Sequence, residues 1–243
     1  MDEARTAIVT GAGKRVGLAI AKGLLAAGWT VVAHVRREAD AVPEGAIKVA
    51  ADLADPSCAK QIFAAADGLP PPRLLVNNGA RFAWDAPGAF DVAEFDAHMA
   101  INVRAAVLLT EEFARRHSGG EALVVNLLDA KLAAPNPDFL SYTLSKQALA
   151  GFTELASRSL AGRGIRVNGV APSLMIRSAG QSEENFRTMH AANPLGQGVV
   201  AAHVMAAIEY LLASTAMTGQ VLTIDGGQRF LGLPRDVQFL ETR

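Results

Sequence analysis

The sequence predicts a doubly wound α/β domain, in which a parallel sheet of seven strands is covered by helices on both faces. Short runs rich in Val and Ile alternate with longer segments of helical period along the chain. Most of these runs are too apolar for strands with one exposed face, as expected when helices cover both sides of a sheet. No internal repeat interrupts the alternation, so we assign residues 1–243 to a single domain.

Each element is predicted from its own apolar pattern. Strands are predicted where the short apolar runs fall, at residues 7–10, 31–34, 47–50, 74–77, 123–127, 166–170 and 221–224. Helices are predicted where apolar residues recur with helical period, at residues 16–27, 56–66, 92–116, 142–161 and 201–212. Residues 36–45 are too few, and too interrupted by Pro43, for a full crossover helix. We expect the ligand at the carboxyl ends of the strands.

Composition excludes several classes of protein. A net charge of -1 and a pI near 6.5 are not those of a general nucleic-acid binder. The one cysteine, Cys58, cannot form an internal disulfide and is expected to be a small apolar filler, which favours a reducing compartment. The acidic start has no signal-peptide pattern, and no apolar run approaches the roughly 20 residues of a membrane span. We therefore expect a cytoplasmic protein without a metal, a membrane or a nucleic-acid partner.

A glycine-rich loop follows the first predicted strand. The segment TGAGKRVG, residues 10–17, opens the first helix and contains Gly11, Lys14, Arg15 and Val16. In this context backbone N–H groups and a helix N-terminus can bind a pyrophosphate. The glycine spacing is one residue longer than in the dinucleotide fingerprint, so a glycine-rich turn without a ligand is the alternative.

The end of the second strand predicts which dinucleotide binds. An acidic side chain there would bind the ribose hydroxyls of NAD, but the chain has His34, Arg36 and Arg37, and no carboxylate before Glu38. Cations at this position attract a 2′-phosphate. The sequence therefore predicts NADP(H); the alternative is that the two arginines are simply solvated.

Tyr142 and Lys146 form a candidate catalytic pair. Their i, i+4 spacing in a helical segment places the phenol and the ammonium on one face. A free phenol has a pKa of about 10, which a neighbouring Lys and a nicotinamide cation could lower. Tyr142 could then act as a general acid or base at a carbonyl or imine carbon. Alternatively, the two are solvated neighbours.

Further motifs extend this pattern along nearly the whole chain. They are Asp52-Leu53, Asn77-Asn78-Gly79-Ala80, Asn102, Asn168-Gly-Val-Ala-Pro172 and Asp225-Gly-Gly227. On these motifs, with the loop and the Tyr–Lys pair, the chain resembles the short-chain dehydrogenase/reductase family, which has a Rossmann-type fold. Within that family it looks most like the pteridine reductases.

The resemblance implies roles for residues along this pattern. Asp52 and Leu53 would hold the adenine, and Lys146 the nicotinamide ribose. Asn102 would anchor a water that links Lys146 to bulk solvent, and Tyr142 would deliver a proton as hydride leaves the nicotinamide. The cofactor would also be contacted by Asn77, Asn78, Pro172 and Ser173.

Three positions favour the pteridine reductases over the general family. Arg15 stands where the loop is usually glycine, and Asp129 stands where a catalytic serine is expected, 13 residues before Tyr142. Phe82 matches an aromatic residue that stacks a pterin against the nicotinamide. The resemblance therefore implies a substrate site formed by Arg15, Phe82, Asp129 and Tyr142. Ala80 and Arg81 depart from the pteridine-reductase pattern.

Structural roles are possible for several of these residues. Phe82 could fill the core under a loop, Asp129 could cap a turn before Pro135, and Asn102 could be a hydrogen-bonded helix asparagine. Met189 and His190 lie in residues 174–197, a stretch that by resemblance closes over the substrate, and we assign them no chemistry.

The expected function is NADPH-dependent reduction of a planar heterocycle such as a dihydropterin. One alternative is a reductase of a ketone, sugar or acyl thioester on the same scaffold. Another is a catalytically inactive NADP(H) sensor. The resemblance also implies a homodimer or homotetramer that pairs through the helices at residues 92–116 and 142–161.

Overall fold

A computed structural model describes residues 4–178 and 180–240, and its strands form one parallel sheet. The strands are β1 Thr6–Val9, β2 Thr30–Val35, β3 Ile47–Ala50, β4 Pro72–Asn77, β5 Ala122–Leu127, β6 Ile165–Pro172 and β7 Val221–Ile224. They lie in the order β3-β2-β1-β4-β5-β6-β7. The strand order switches between β1 and β4, because β2 and β3 lie on one side of β1 and the later strands lie on the other. Open α/β sheets bind ligands at such a switch point. The predicted fold class is confirmed.

Helices cover both faces of the sheet. They are α1 Arg15–Ala26, α2 Cys58–Ala64, α3 Val92–His98, α4 Ala105–Arg116, α5 Leu140–Leu160, α6 Glu183–Ala191 and α7 Ala201–Ala213. On one face α1 and α7 bury Ile20 and Ile208 against the strands. On the other, α2, α4 and α5 bury Phe63, Phe113 and their neighbours. Cys58 lies in this second core, as the expected apolar filler.

The predicted helix at residues 92–116 is not one continuous α-helix. A π-helical segment, Met99–Arg104, separates α3 from α4. Asn102 lies in this segment and is 2% exposed. π-Helical turns are rare and are frequently found at functional sites. Apolar periodicity does not register the extra residue per turn, so the sequence pattern could not show the interruption.

The sequence predicted one connection correctly and missed a helix in another. Residues 36–46 between β2 and β3 contain no helix, which confirms the abbreviated connection. In contrast, α6 was not predicted. Its first turn has acidic side chains, and Ser182 caps it by accepting a hydrogen bond from the backbone N–H of Asn185. None of its described residues is buried, so the apolar stripe that predicts a helix is weak.

A tight turn follows β7 at the carboxyl ends of the strands. Asp225 fixes the turn by accepting hydrogen bonds from the backbone N–H groups of Gly227 and Arg229, at 2.9 and 3.1 Å. Short 3₁₀ turns follow at Gln228–Leu231 and Val237–Phe239. Among the described residues, no helix is long and apolar enough to cross a membrane.

Candidate active site

Two adjoining cavities open at the carboxyl ends of the strands. The first, of about 470 Å³, is lined by the glycine loop, the end of β2 and the residues that follow β3. The second, of about 290 Å³, is lined by Tyr142, Asp129, Arg15 and Ser173 among others. Phe82 lines both cavities, so the two adjoin at this residue, and we refer to them together as the cleft.

Glycine is required where the loop after β1 packs against the loop after β4. Gly11 has a φ of +64°, and a β-carbon on it would lie 3.0 Å from the Cα of Gly79. A β-carbon on Gly17 would collide with the carbonyl oxygen of Gly11. Asn78 ties the two loops together, since its side-chain amide donates to the carbonyl of Thr10 at 2.8 Å. The loop geometry therefore depends on small residues and on Asn78.

The N-terminus of α1 faces the cleft without a side-chain cap. Lys14 is the N-cap residue and makes no capping hydrogen bond, so the first-turn N–H groups remain available to an anion. Arg15 has a φ of +52°, a conformation that costs a non-glycine residue about 1–2 kcal/mol. A non-glycine residue in this conformation beside a cleft suggests that its side chain has a function.

His34 does not act as the cation that the sequence suggested. Its imidazole is 2% exposed, and burial lowers its pKa. Nδ1 accepts a hydrogen bond from the N–H of Gly11 at 3.2 Å, while Nε2 donates to the carbonyl of Ala51 at 2.9 Å. Since one nitrogen accepts, the ring is neutral. His34 therefore braces the glycine loop against the chain that follows β3.

Positive charge in the first cavity comes instead from Lys14, Arg36 and Arg37, which are all exposed. Arg37 pairs with Asp40 at 3.1 Å, and its hydrogen bond lowers the pKa of that carboxyl. Within residues 4–178 and 180–240, Lys14 and Arg36 have no ion pair, so both remain available to an anion.

Some of the remaining residues expected to bind the cofactor line the two cavities, and others do not. Asp52 and Leu53 line the first cavity, and Val16 and Ser173 the second. Asn77 is buried and donates to Oδ1 of Asn126 at 2.8 Å, joining β4 to β5. In the described chain the walls of these two cavities do not include Asn77, Asn78 or Pro172.

Asp129 and Tyr142 are hydrogen bonded to each other. The Tyr142 hydroxyl donates to Oδ2 of Asp129 at 2.9 Å, and the N–H of Lys131 donates to Oδ1 at 2.8 Å. Asp129 therefore caps the turn at Ala130–Ala133, as the alternative proposed, and contacts Tyr142 as well. Burial raises the pKa of the Asp129 carboxyl, although these hydrogen bonds and the charge of Lys146 oppose the shift.

The pKa of Tyr142 in the protein alone is determined by burial and by Asp129. Burial and the adjacent Asp129 charge raise the pKa of Tyr142 well above its ordinary value. The hydroxyl contacts a carboxylate, while Lys146 Nζ lies 5.6 Å from the centre of the phenol ring. Burial lowers the pKa of Lys146 to about 8, and its ammonium donates to the carbonyl of Leu127 at 2.6 Å. Tyr142 is therefore a protonated acid at neutral pH.

Asn102 connects the π-helical segment to the cleft. Its side chain accepts from the N–H of Arg81 at 2.7 Å and donates to the carbonyl of Arg81 at 3.0 Å. It also donates to Oγ of Ser145 at 2.9 Å. Asn102 is therefore fully hydrogen bonded, and it links the residue before Phe82 to the residue before Lys146.

Phe82 is not a core plug, because 47% of it is exposed. Its ring stacks on Phe139 with centroids 4.3 Å apart and meets Tyr142 edge-on at 4.7 Å. Phe139 was missed from the sequence because a phenylalanine before a helix carries no functional signal. It is the N-cap of α5 and has a φ of +56°. The sequence also gave no sign that Lys131, Arg235 and Asp236 would line the second cavity.

A glycine-rich loop beside a buried cluster of Tyr142, Lys146 and Asp129 is the arrangement expected of a nucleotide-dependent oxidoreductase. A family model described as enoyl-(acyl carrier protein) reductase matches residues 11–229. The chain belongs to the short-chain dehydrogenase/reductase family, and it is an oxidoreductase of that family.

Relatives with different substrates are similar to the chain. It is 33% identical to L-xylulose reductase of Bos taurus, over 92% of this chain and 96% of that protein. It is 30% identical to pteridine reductase 1 of Leishmania tarentolae, over 92% of this chain and 96% of that protein. A crystal structure of FolM alternative dihydrofolate reductase 1 from Brucella suis in complex with NADP superimposes with a TM-score of 0.85. That comparison has 32% identity and covers 95% of this chain and 97% of the other.

Proposed function

We propose that this protein is an NADPH-dependent reductase of a planar nitrogen heterocycle of the dihydropterin type, with Tyr142 as the proton donor. The carboxylate of Asp129 carries this proposal, because it lies at hydrogen-bond distance from the Tyr142 hydroxyl. Its two oxygens accept hydrogen bonds from Tyr142 and from the N–H of Lys131, so the group acts as an acceptor and is poorly matched to a substrate oxygen, which needs a donor. It is matched to a substrate that bears N–H groups.

The cofactor is NADP(H). When bound, it supplies the hydride for the reduction. Lys14, Arg36 and Arg37 provide the cations for its phosphates, and the uncapped N-terminus of α1 receives the pyrophosphate. The backbone fits this ligand, because glycines keep the loop free of side chains. The NADP complex of the Brucella suis protein supports this assignment.

Proton delivery rests on three side chains of this chain. Tyr142 holds its proton on the hydroxyl oxygen, where Asp129 orients the O–H by accepting its hydrogen bond. Lys146 is 4% exposed, and its ammonium lies 5.6 Å from the centre of the phenol ring. Its positive charge favours the phenolate that forms once Tyr142 gives up its proton.

Arg15 and Phe82 would hold the ring of the substrate. Phe82 presents a half-exposed aromatic surface beside Tyr142, which suits stacking of a planar ring. Arg15 lines the same cavity and has no ion pair among the described residues. Its guanidinium is therefore free to donate to the polar edge of a heterocycle.

Carbonyl reduction is the second candidate, because the L-xylulose reductase relative is as similar as the pterin-reducing ones. NADPH oxidation should be followed with a dihydropterin, a pentulose and a small diketone in parallel. The proposal requires the dihydropterin to have the highest kcat/KM. A preference for the pentulose would favour the second candidate. Absence of turnover with all three would leave the inactive sensor.

A homodimer or homotetramer in the cytoplasm completes the proposal. The outer face of α5 exposes Leu144 and Leu155, at 39% and 69%. A β-carbon on Gly151 of the same helix would meet only open space, so another helix can approach closely. Light scattering at micromolar concentration should give at least twice the monomer mass.

A further inference from the structure

A segment after β7 forms part of the wall of the second cavity. We define the C-terminal strap as residues 233–240; Leu233, Arg235, Asp236 and Val237 of the strap line the cavity that contains Tyr142 and Asp129. The match to the family model ends at residue 229.

A buried carboxylate anchors the strap to the loop between Asp129 and Tyr142. Asp138 is 2% exposed and accepts two hydrogen bonds from the guanidinium of Arg235, both at 2.8 Å. It accepts a third from the N–H of Asp236, also at 2.8 Å. The hydrogen bonds of Arg235 hold the pKa of Asp138 below its usual range, so the anchor is ionised at neutral pH.

Lys131 joins this anchor to the catalytic pair. Its ammonium donates to the carbonyl of Asp138 and lies 3.4 Å from Oδ2 of Asp236. Its backbone N–H donates to Asp129. Lys131 thus contacts both Asp129, the partner of Tyr142, and Asp236 of the strap.

The far end of the strap is fixed by an aromatic stack and by α6. Phe239 stacks on Phe139 with centroids 6.0 Å apart, and Phe139 stacks in turn on Phe82. The side-chain amide of Asn185, in α6, donates to the carbonyl of Leu240 at 2.6 Å. Both ends of the strap are therefore attached to elements that border the cleft.

We propose that the strap is a specificity-determining wall, in which Asp138 is the positioning residue and Asp236 presents a carboxylate that selects a planar substrate bearing N–H groups. Asp236 and Asp129 line one cavity with Phe82, which combines two acceptors with a stacking surface. The inference rests on the proposed function for the identity of the ring, whereas the role of the strap as a wall rests on the contacts above.

The test compares substrates of different shape in variants of the anchor. Asp138→Asn and Arg235→Gln each remove one side of the ion pair. The readout is the ratio of kcat/KM for a dihydropterin to kcat/KM for a small diketone, with NADPH as cofactor. We expect this ratio to fall at least about tenfold in both variants, while the Kd for NADPH changes less than about threefold. Arg235 is half-exposed, so its variant keeps the test valid if Asp138→Asn does not fold.

A bicyclic aromatic ketone separates the two parts of the proposal. Asp236→Asn should lower kcat/KM for the dihydropterin at least about tenfold more than for this ketone, which has no N–H groups. Asp67→Asn breaks the Arg116–Asp67 pair, and is the matched control that should keep every ratio.

Ratios within about twofold of the parent in both anchor variants would overturn the role of the strap. Equal losses on dihydropterin and bicyclic ketone in Asp236→Asn would overturn the role of Asp236. If the parent does not reduce the dihydropterin, the proposed function fails. The ratio of bicyclic ketone to small diketone then still decides whether the strap selects for shape.

Discussion

The Tyr142 hydroxyl donates its hydrogen bond to Asp129, so the proton donor of the site is paired with a carboxylate. Asp129→Ser would replace this acceptor by a hydroxyl that can donate to a substrate oxygen. We expect lower activity on a dihydropterin, with activity on a simple ketone retained or improved. Steady-state kinetics with both substrates checks this. If the variant reduced both as well as the parent does, Asp129 would be structural only, as the cap of the turn at Ala130–Ala133.

Tyr142→Phe should lose at least about 10²-fold in turnover, because it removes a general acid. Cofactor binding should survive, since the ring remains and only the hydroxyl is lost. Lys146→Ala should lose both turnover and NADPH affinity, as a residue with two roles. Fluorescence titration with NADPH and single-turnover kinetics separate the two effects. A Tyr142→Phe enzyme near parental activity would exclude Tyr142 as the donor.

Activity should fall as the pH rises above about 8, the pKa to which burial lowers Lys146. The lysine is charged below this pH and neutral above it, and the charge is what stabilises a forming phenolate. Tyr142 has a pKa well above its ordinary value, so it does not itself titrate in this range. The measurement is kcat/KM against pH. Lys146→Arg should remove the alkaline fall in whatever activity it retains; a parental profile that is flat from about pH 7 to about pH 10 contradicts the assignment.

The parent should bind NADPH at least about tenfold more tightly than NADH, and Arg37→Asp should shrink this preference, chiefly by weakening NADPH. A carboxylate at position 37 would repel the 2′-phosphate and would stand close to Asp40, the present partner of Arg37. Titration of both cofactors measures the preference. Arg158→Asp, on an exposed ion pair of α5, is the control for loss of one positive charge. Equal binding of the two cofactors by the parent would refute the prediction.

Sequence patterns were sufficient to predict the features that depend on residues close together in the chain. Periodicity identified every strand to within a few residues, and the i, i+4 spacing of Tyr142 and Lys146 placed both side chains in the same helix. It could not show contacts that need the tertiary structure. The pKa of Tyr142 depends on burial and on Asp129, which follows the end of β5. The sequence suggested that His34 is a cation beside two arginines. In the structure β2 packs against the glycine loop, and His34 is a buried, neutral side chain that is hydrogen bonded to that loop.

The helix that carries Tyr142 also depends on a residue that no motif singled out. Phe139, the N-cap of α5, makes no side-chain capping hydrogen bond. Asp85, in the loop after β4, caps the helix in its place. Its carboxylate accepts from the N–H of Ser141 at 2.9 Å and from the Ser141 hydroxyl, while its carbonyl accepts from the N–H of Leu140. Phe82 lies on the same loop, so one segment positions both the aromatic surface and the proton donor.

Asp85→Ala should therefore lower both stability and turnover. It removes two hydrogen bonds to a carboxylate that is 1% exposed, and a lost helix cap costs about 0.5–2 kcal/mol. Denaturant unfolding measures the first effect, and kcat on the preferred substrate the second. Asp91→Ala is the matched control, because Asp91 caps α3 by accepting from the N–H groups of Ala93 and Glu94. Asp91 is exposed, so that variant should lose less stability, and it should keep kcat. If the two variants had the same kcat, Asp85 would stabilise the fold without positioning Tyr142.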